Sequence, residues 1–209
     1  MSQIALPLTP AGGTGAPRIV VGNANQAIVE ALADPAAWPF RTAVLCGPPR
    51  SGKSLLARWF AGAGPGSLRR EAIDNADSLD ETELFHRWNR AQESGTALLL
   101  VSNAAEGAWH IALPDLASRI GAALHLDLGP PDDAMLAGLI ALHAEMRALV
   151  LDAQAAAYLV PRCERSHAGV ERLVAEIDRL SLERKAPATM AIWRDALEAL
   201  GGELQPRLL

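Results

Sequence analysis

The eight residues from Gly47 to Ser54, GPPRSGKS, form a complete phosphate-binding pattern, GxxxxGK[ST]. Glycines let backbone N–H groups turn inward around an anion, and the N-terminus of a following helix adds the positive end of its dipole. In such a loop the lysine reaches the outer phosphates and the last hydroxyl holds Mg²⁺. The pattern predicts that ADP or ATP with Mg²⁺ binds to Gly47, Pro48, Pro49, Arg50, Ser51, Gly52, Lys53 and Ser54.

The residues on either side of this loop decide whether the pattern is meaningful. Thr42 to Cys46 is a compact apolar run, typical of a buried strand, and apolar residues recur at helical spacing from Leu55 to Phe60. Strand, loop and helix in this order are what a phosphate-binding loop requires. The alternative is a glycine- and proline-rich turn that happens to precede a lysine.

A magnesium-binding carboxylate is expected at the end of a neighbouring strand, and Asp74, after Ala72 and Ile73, is the candidate. The segment 68–73 is poorly apolar for a parallel strand, so a loop carboxylate without a metal role is the alternative. Asn75 follows where ATPases of this kind carry a second acid. Since an amide cannot act as a base, we expect slow intrinsic turnover.

The elements that must position these residues are strands alternating with helices. Apolar runs at 42–46, 97–102 and 123–128 predict strands of a parallel sheet in an α/β fold. Only twenty residues separate Lys53 from Asp74, whereas a parallel crossover alone uses about a dozen or more. We therefore expect a shortened sheet that lacks an edge strand and its helix.

The chain divides by composition into three segments. Residues 1–18 are rich in proline and glycine and predict a flexible tail, 19–129 a nucleotide-binding core, and 130–209 a small lid of four helices. Asn23 and Asn25 are both candidate caps of the first core helix, and Ser166 is the predicted cap of the third lid helix. The first lid helix should bury a face running from Met135 to Met146.

The overall composition restricts the classes of function. The net charge of −5 over 209 residues makes direct DNA binding by phosphate neutralisation unfavourable. The sequence contains no apolar run long enough for a membrane span and no signal peptide, and its two cysteines suggest no disulfide framework. These features predict a soluble cytoplasmic protein.

Three segments carry a resemblance to a known family. Residues 73–75, IDN, with 83–89, ELFHRWN, look like the magnesium-acid strand and following helix of DnaA-related AAA+ proteins, and 100–103, LVSN, ends where that family places its first sensor. The chain resembles the short Hda-type members, which lack the initiator's DNA-binding domain. This resemblance supports Asp74 as the magnesium acid and implies that Asn103 is a sensor of the phosphates.

Residues 113–119, LPDLASR, match the box of this family that supplies an arginine to a neighbouring subunit's nucleotide. The resemblance implies that Arg119 is an arginine finger, because a guanidinium inserted across an interface stabilises phosphate charge in the transition state. An arginine ion-paired on a short surface helix is the alternative.

The N-terminal residues QIALPL are similar to the hexapeptide by which Hda docks on the bacterial sliding clamp. In such a peptide a glutamine amide makes directed hydrogen bonds while aliphatic side chains fill an apolar pocket. A disordered terminus with chance aliphatic residues is the alternative. The implied clamp-binding residues are Gln3, Ile4, Leu6 and Leu8.

The lid sequence departs from the family pattern at the second sensor, a position on a lid helix where the family carries an arginine that senses the phosphates. Glu171 occupies the position where an arginine is expected, and Arg172, beside it, is the cation left to approach the nucleotide. A carboxylate facing a phosphate would repel it, which puts the sensing of ATP in question.

The resemblance implies a regulator that docks on the sliding clamp and presents Arg119 to ATP bound by a DnaA-type initiator. Its own nucleotide would serve chiefly as a structural ligand. Two alternatives stay open: an adaptor without useful nucleotide chemistry, and an ATPase acting on DNA, which the acidic charge disfavours. Whether Arg119 acts on DnaA or within a homo-oligomer is open.

Overall fold

A computed structural model describes residues 18–62, 68–104 and 109–201. The predicted clamp-binding residues Gln3, Ile4, Leu6 and Leu8 lie outside these ranges. The described chain divides between Gly129 and Pro130 into two compact units, a core unit and a lid unit.

The core unit is built on one parallel sheet of four strands in the order β2-β3-β1-β4. This confirms the predicted α/β fold with a shortened sheet. The strands are β1 (Thr42–Cys46), β2 (Arg70–Ile73), β3 (Ala97–Val101) and β4 (Leu124–Asp127), and the helices are α1 (Gln26–Ala33), α2 (Lys53–Gly62), α3 (Glu81–Ser94) and α4 (Pro114–Gly121).

The two central strands are buried at all five positions, which explains their uninterrupted apolar sequences. Successive residues face opposite sides of the sheet. Leu45 and Leu99 pack with α1 and α2 in one cluster, while Val44 and Leu100 pack with α3 and α4 in another. Strand β2 is at an edge and only its last residue is buried, so its sequence is less apolar.

Asn25 occupies the N-cap position of α1, as predicted, but its side chain makes no capping hydrogen bond. Its side chain is 3% exposed and closes the turn before the helix. The Oδ1 atom accepts a hydrogen bond from the Gly22 N–H at 2.9 Å, and Nδ2 donates to the Val20 carbonyl at 2.9 Å. The side chain is therefore already committed to the preceding loop.

The lid unit contains four helices, as the sequence predicted. Ser166 caps the third of them by accepting from the Gly169 N–H at 2.9 Å. No helix in the described parts of the chain is long and apolar enough to cross a membrane. The helices are α5 (Asp133–Met146), α6 (Ala153–Leu159), α7 (His167–Arg184) and α8 (Met190–Ala199).

The predicted buried face of α5 was wrong at its C-terminal end. Met146 is 71% exposed, whereas Met135, Leu139 and Ala144 are buried. The buried stripe runs through Leu136 and Ile140 to the small Ala144, because residues at i, i+4 and i+8 stay close to one face of a helix of 3.6 residues per turn.

Candidate nucleotide site

The carboxyl ends of three neighbouring strands meet along one edge of the sheet. Leu45 of β1 pairs with Val101 of β3, and Ile73 of β2 pairs with Leu100. The phosphate-binding loop and the residues following β2 and β3 therefore emerge side by side. Ligands of open parallel sheets bind at this edge.

The loop 47–52 joins β1 to α2 through backbone conformations that favour glycine. Gly47 has φ +147° and Gly52 has φ +98°. A Cβ atom added to Gly47 would lie 2.8 Å from the carbonyl oxygen of Leu128, the residue after β4. Arg50 also has a positive φ, +60°, with its side chain exposed. The loop is thus packed against the residue that follows β4, with no room for a side chain at Gly47.

Lys53, the first residue of α2, is buried inside the loop with an exposure of 4%. Its Nζ donates to the carbonyls of Gly47 at 2.8 Å and Pro48 at 2.7 Å. Burial lowers the pKa of this ammonium group, while the negative charges of Asp74 and Asp77 act in the opposite direction. An ammonium has three N–H donors, so one beyond these two carbonyl bonds can serve a phosphate oxygen.

Two hydroxyl groups of the loop have the placement that a bound nucleotide needs. Ser51 is 6% exposed, and its buried Oγ has no hydrogen-bond partner among the described residues. Ser54 is half-buried in the first turn of α2, next to Lys53. A buried hydroxyl without a partner is costly unless a ligand satisfies it. The loop therefore fits a phosphate group, with Ser54 available for Mg²⁺.

Asp74 and Asn103, the predicted magnesium acid and sensor, follow neighbouring strands at the same edge. Asp74 directly follows β2, and its Oδ1 accepts from the Asn75 N–H at 3.1 Å. Asn75 has a left-handed backbone with φ +52°, and its Oδ1 accepts from Asn103 Nδ2 at 2.7 Å. Asn75, which follows the predicted magnesium acid, is thus hydrogen-bonded to the predicted sensor.

Asp77 is a site residue that the sequence analysis missed. Its Oδ2 accepts from the Ser102 hydroxyl at 3.0 Å and from the backbone N–H groups of Asn103 at 3.0 Å and Ala104 at 3.1 Å. Three donors on one carboxylate oxygen fix the turn that follows β3. An acidic residue three positions after Asp74 was the only signal in the sequence.

The guanidinium of Arg119 on α4 is held against one face of α3. Its carbon atom lies 4.7 Å from the ring centroid of Phe85 and 4.4 Å from that of Trp88. Nη1 donates to Asn89 Oδ1 at 2.6 Å. The partners seen here are two aromatic faces and an amide, whereas the alternative interpretation expected a carboxylate.

The lid residues singled out from the sequence are engaged within the lid unit. Arg172 forms an ion pair with Glu164, which also accepts from the Ser166 hydroxyl at 2.6 Å. This hydrogen bond, with the charge of Arg172 adding to it, lowers the pKa of Glu164. The charge of Glu171 acts on His143 and opposes the lowering of the histidine pKa by burial.

No family model matches the sequence. The fold is similar to domain III of the replication initiation protein DnaA of Thermotoga maritima, with a TM-score of 0.72 and 16% identity over 87% of this chain and 94% of that chain. The comparison with a DnaA initiator bound to AMPPCP and single-stranded DNA gives a TM-score of 0.63 and 16% identity, and it covers 80% of this chain and 66% of that chain. The comparison with Thermotoga maritima RuvB gives a TM-score of 0.62 and 20% identity, and it covers 85% of this chain and 68% of that chain. At these identities the likeness establishes the AAA+ fold.

Proposed function

We propose that this chain is a nucleotide-binding regulator that promotes hydrolysis of ATP bound to a DnaA-type initiator. The observation that carries the proposal is the complete phosphate loop with Asp74 and Asn103 beside it, in a fold similar to domain III of DnaA. An arginine-bearing helix, α4, lies in the same unit. These are the parts that a DnaA-related AAA+ protein requires on its own side of an interface.

ADP or ATP would be held by the phosphate loop. Backbone N–H groups of the loop and the N-terminus of α2 would bind the phosphates, and Lys53 would hold the outer ones. Ser54 and Asp74 would hold Mg²⁺, which supplies positive charge to the phosphates when bound. The buried hydroxyl of Ser51 supports this assignment. Because Asn75 offers an amide, the chain's own nucleotide would turn over slowly and act chiefly as a structural ligand.

Arg119 would act in the partner's site. A guanidinium is planar, permanently charged and able to donate several hydrogen bonds, so it stabilises charge that develops on transferring phosphoryl oxygens. Its stacking on Phe85 and Trp88 supports the proposal, because both rings restrict its rotation while Asn89 occupies only one of its donors. Arginine fingers contribute roughly 10³–10⁵-fold to phosphoryl transfer.

The N-terminal tail would place the regulator where it works. Gln3, Ile4, Leu6 and Leu8 would dock on the replicative sliding clamp in the cytoplasm. Tethering to the clamp would raise the local concentration of Arg119 near an initiator on the same DNA without any new contact. The acidic chain would thus reach DNA through the clamp and not by its own surface.

The test is the rate at which DnaA-bound ATP is hydrolysed in the presence of clamp loaded on DNA, with and without this protein. We expect acceleration by the wild type, its loss in Arg119→Ala, and a large loss in Arg119→Lys, since lysine lacks the planar fork. The double tail variant, Leu6→Ala with Leu8→Ala, should raise the concentration of this protein that is needed for half-maximal acceleration but leave the maximal rate unchanged. Acceleration that survives in Arg119→Ala would refute the role of this residue.

A second candidate function is a clamp-binding adaptor whose phosphate loop is only structural. The amide at Asn75 and the ion pair of Arg172 with Glu164 favour it, since each withholds a group that nucleotide chemistry would use. A thermal shift measured with ADP and Mg²⁺ separates the two functions. A shift that disappears in Lys53→Ala supports the regulator, whereas no shift for the wild type supports the adaptor.

A further inference from the structure

One carboxylate holds the start of the helix that carries Arg119. Glu81 accepts from the Ala112 N–H at 2.8 Å through Oε1 and from the Leu113 N–H at 2.7 Å through Oε2. Leu113 is the N-cap residue of α4, and its side chain cannot cap the helix. Glu81, from another helix, therefore provides the hydrogen bonds that fix where α4 begins.

Glu81 is well placed for this because it is also the first residue of α3. A carboxylate at a helix N-terminus is stabilised by the positive end of the helix dipole. Here the same carboxylate faces the N-terminal ends of both α3 and α4. Two charge-assisted bonds to consecutive backbone groups also fix orientation, because they require one direction of approach.

The same helix face makes a second attachment one to two turns further along α3. Phe85, Trp88 and Asn89, which contact Arg119, follow Glu81 at spacings of four, seven and eight residues. Such spacings fall on one side of a helix. Helix α4 is therefore attached to α3 at two points. The backbone at Leu113, where α4 begins, bonds to Glu81, and the side chain of Arg119, six residues after Leu113, contacts the same face of α3.

We propose that Glu81 is a positioning residue for Arg119, an inference that rests on the proposed function. The two bonds set the position of α4, and the aromatic faces then set the direction of the guanidinium. Precise placement matters because a displacement of about 1 Å of a reacting group can reduce a rate roughly 100-fold. Glu81 makes this contribution without touching either nucleotide.

The experiment compares Glu81→Gln with Glu83→Gln in the full chain. Glutamine at position 81 keeps the size of the side chain but offers one acceptor oxygen in place of two, so one N–H loses its partner. Glu83 is on the same turn of α3, where its carboxylate makes only an exposed ion pair with Arg87 among the described residues. The matched variant therefore removes a charge from the same helix without releasing α4.

We measure the maximal rate and the half-saturating concentration in the initiator assay, together with amide exchange of the segment 109–121 by mass spectrometry. For Glu81→Gln we expect a maximal rate about tenfold lower, an unchanged half-saturating concentration and faster exchange. Glu83→Gln should match the wild type in all three. A helix support with no role in positioning would change the exchange and leave the maximal rate intact.

Two results would overturn the inference even if the regulator is correct: an unchanged maximal rate in Glu81→Gln, or an effect confined to the half-saturating concentration. If the wild type accelerates nothing, the proposed function fails and with it the role toward Arg119. Amide exchange still decides the structural part in that case. Equal exchange in the two glutamine variants would overturn the hydrogen-bonded support of α4 as well.

Discussion

The side-chain amides of Asn75 and Asn103 are joined by a hydrogen bond of 2.7 Å between Nδ2 of Asn103 and Oδ1 of Asn75. The bond connects the turns that follow β2 and β3 at the carboxyl edge of the sheet. Asn75 has the left-handed backbone that asparagine tolerates better than most residues. An amide is thereby fixed at the position where the sequence analysis expects the second acid of an ATPase.

We predict that Asn75→Asp raises intrinsic ATP hydrolysis by about tenfold or more, since general bases typically contribute roughly 10²–10⁴-fold. Aspartate keeps the shape of asparagine, tolerates the left-handed backbone and can still accept from Asn103 Nδ2. Hydrolysis is measured as phosphate release in single turnover. Asn75→Gly, which suits the backbone but brings no carboxylate, should stay as slow as the wild type; equal rates in all three proteins would contradict the prediction.

Asp77→Asn should lower the free energy of unfolding by about 1–3 kcal/mol. The amide replaces a carboxylate that accepts three hydrogen bonds from the turn 102–104, and it brings an NH₂ group to the position where Oδ1 is buried without a partner. Urea unfolding measures the loss. Asp80→Asn is the matched control, because Asp80 caps α3 and asparagine is an equally good cap.

Gly47→Ala should remove nucleotide binding and reduce stability by on the order of 1–3 kcal/mol. The new Cβ would lie 2.8 Å from the Leu128 carbonyl oxygen and would require a backbone with φ +147°. Binding of ADP with Mg²⁺ by calorimetry and urea unfolding are the measurements. The control is Gly62→Ala at the end of α2, whose added Cβ would meet no atom of the described residues within 4 Å apart from its chain neighbours and its own helix backbone. It should change neither quantity by much.

The stability of the lid should fall as the pH falls below about 6.5. Burial lowers the pKa of His143 and of His167, and each is further lowered by a positive neighbour, Arg147 for His143 and His143 for His167. The unfolded chain therefore binds more protons than the native state between the native pKa values and the ordinary value of 6.5. In this window the free energy of unfolding rises with pH, and above it this contribution is constant.

Urea unfolding followed between pH 7.5 and 5.5 checks this dependence. His143→Gln, which cannot be protonated, should reduce the slope of stability against pH. His86→Gln is the control, because His86 is exposed on α3. A slope that is the same in the wild type and in His143→Gln would show that His143 does not contribute.

The sequence was sufficient to predict features whose geometry depends on residues close to one another in the chain. The phosphate loop, the buried strands β1 and β3 and the cap at Ser166 each follow from a local pattern of residue types. A parallel strand buried on both faces has an uninterrupted apolar run, and a serine cap bonds a backbone group only three residues away. Such signals do not depend on how distant segments meet.

The contacts that organise the candidate site depend on distant segments. Asp77 and Ser102 are 25 residues apart, and Glu81 and Ala112 are 31 apart. Each pair joins two segments that are far apart in the sequence, and no periodicity in the sequence indicates that they meet. The side chain of Asn25 bonds to the preceding turn, at Gly22 and Val20, instead of the helix, which is a local choice between two sets of backbone partners. The exposure of Met146, in contrast, reflects which end of α5 is covered by the rest of the lid unit.

The two edge strands of the sheet, β2 and β4, differ in what each contributes to the phosphate loop. Among the described residues no strand lies beyond β2, and the order β2-β3-β1 brings the residues of the site together. On the other side of β1 the described sheet has only β4, and the backbone of Leu128, the residue after β4, lies against Gly47. The phosphate loop therefore relies on the β4 edge for its packing, and deletion of β4 would remove that support.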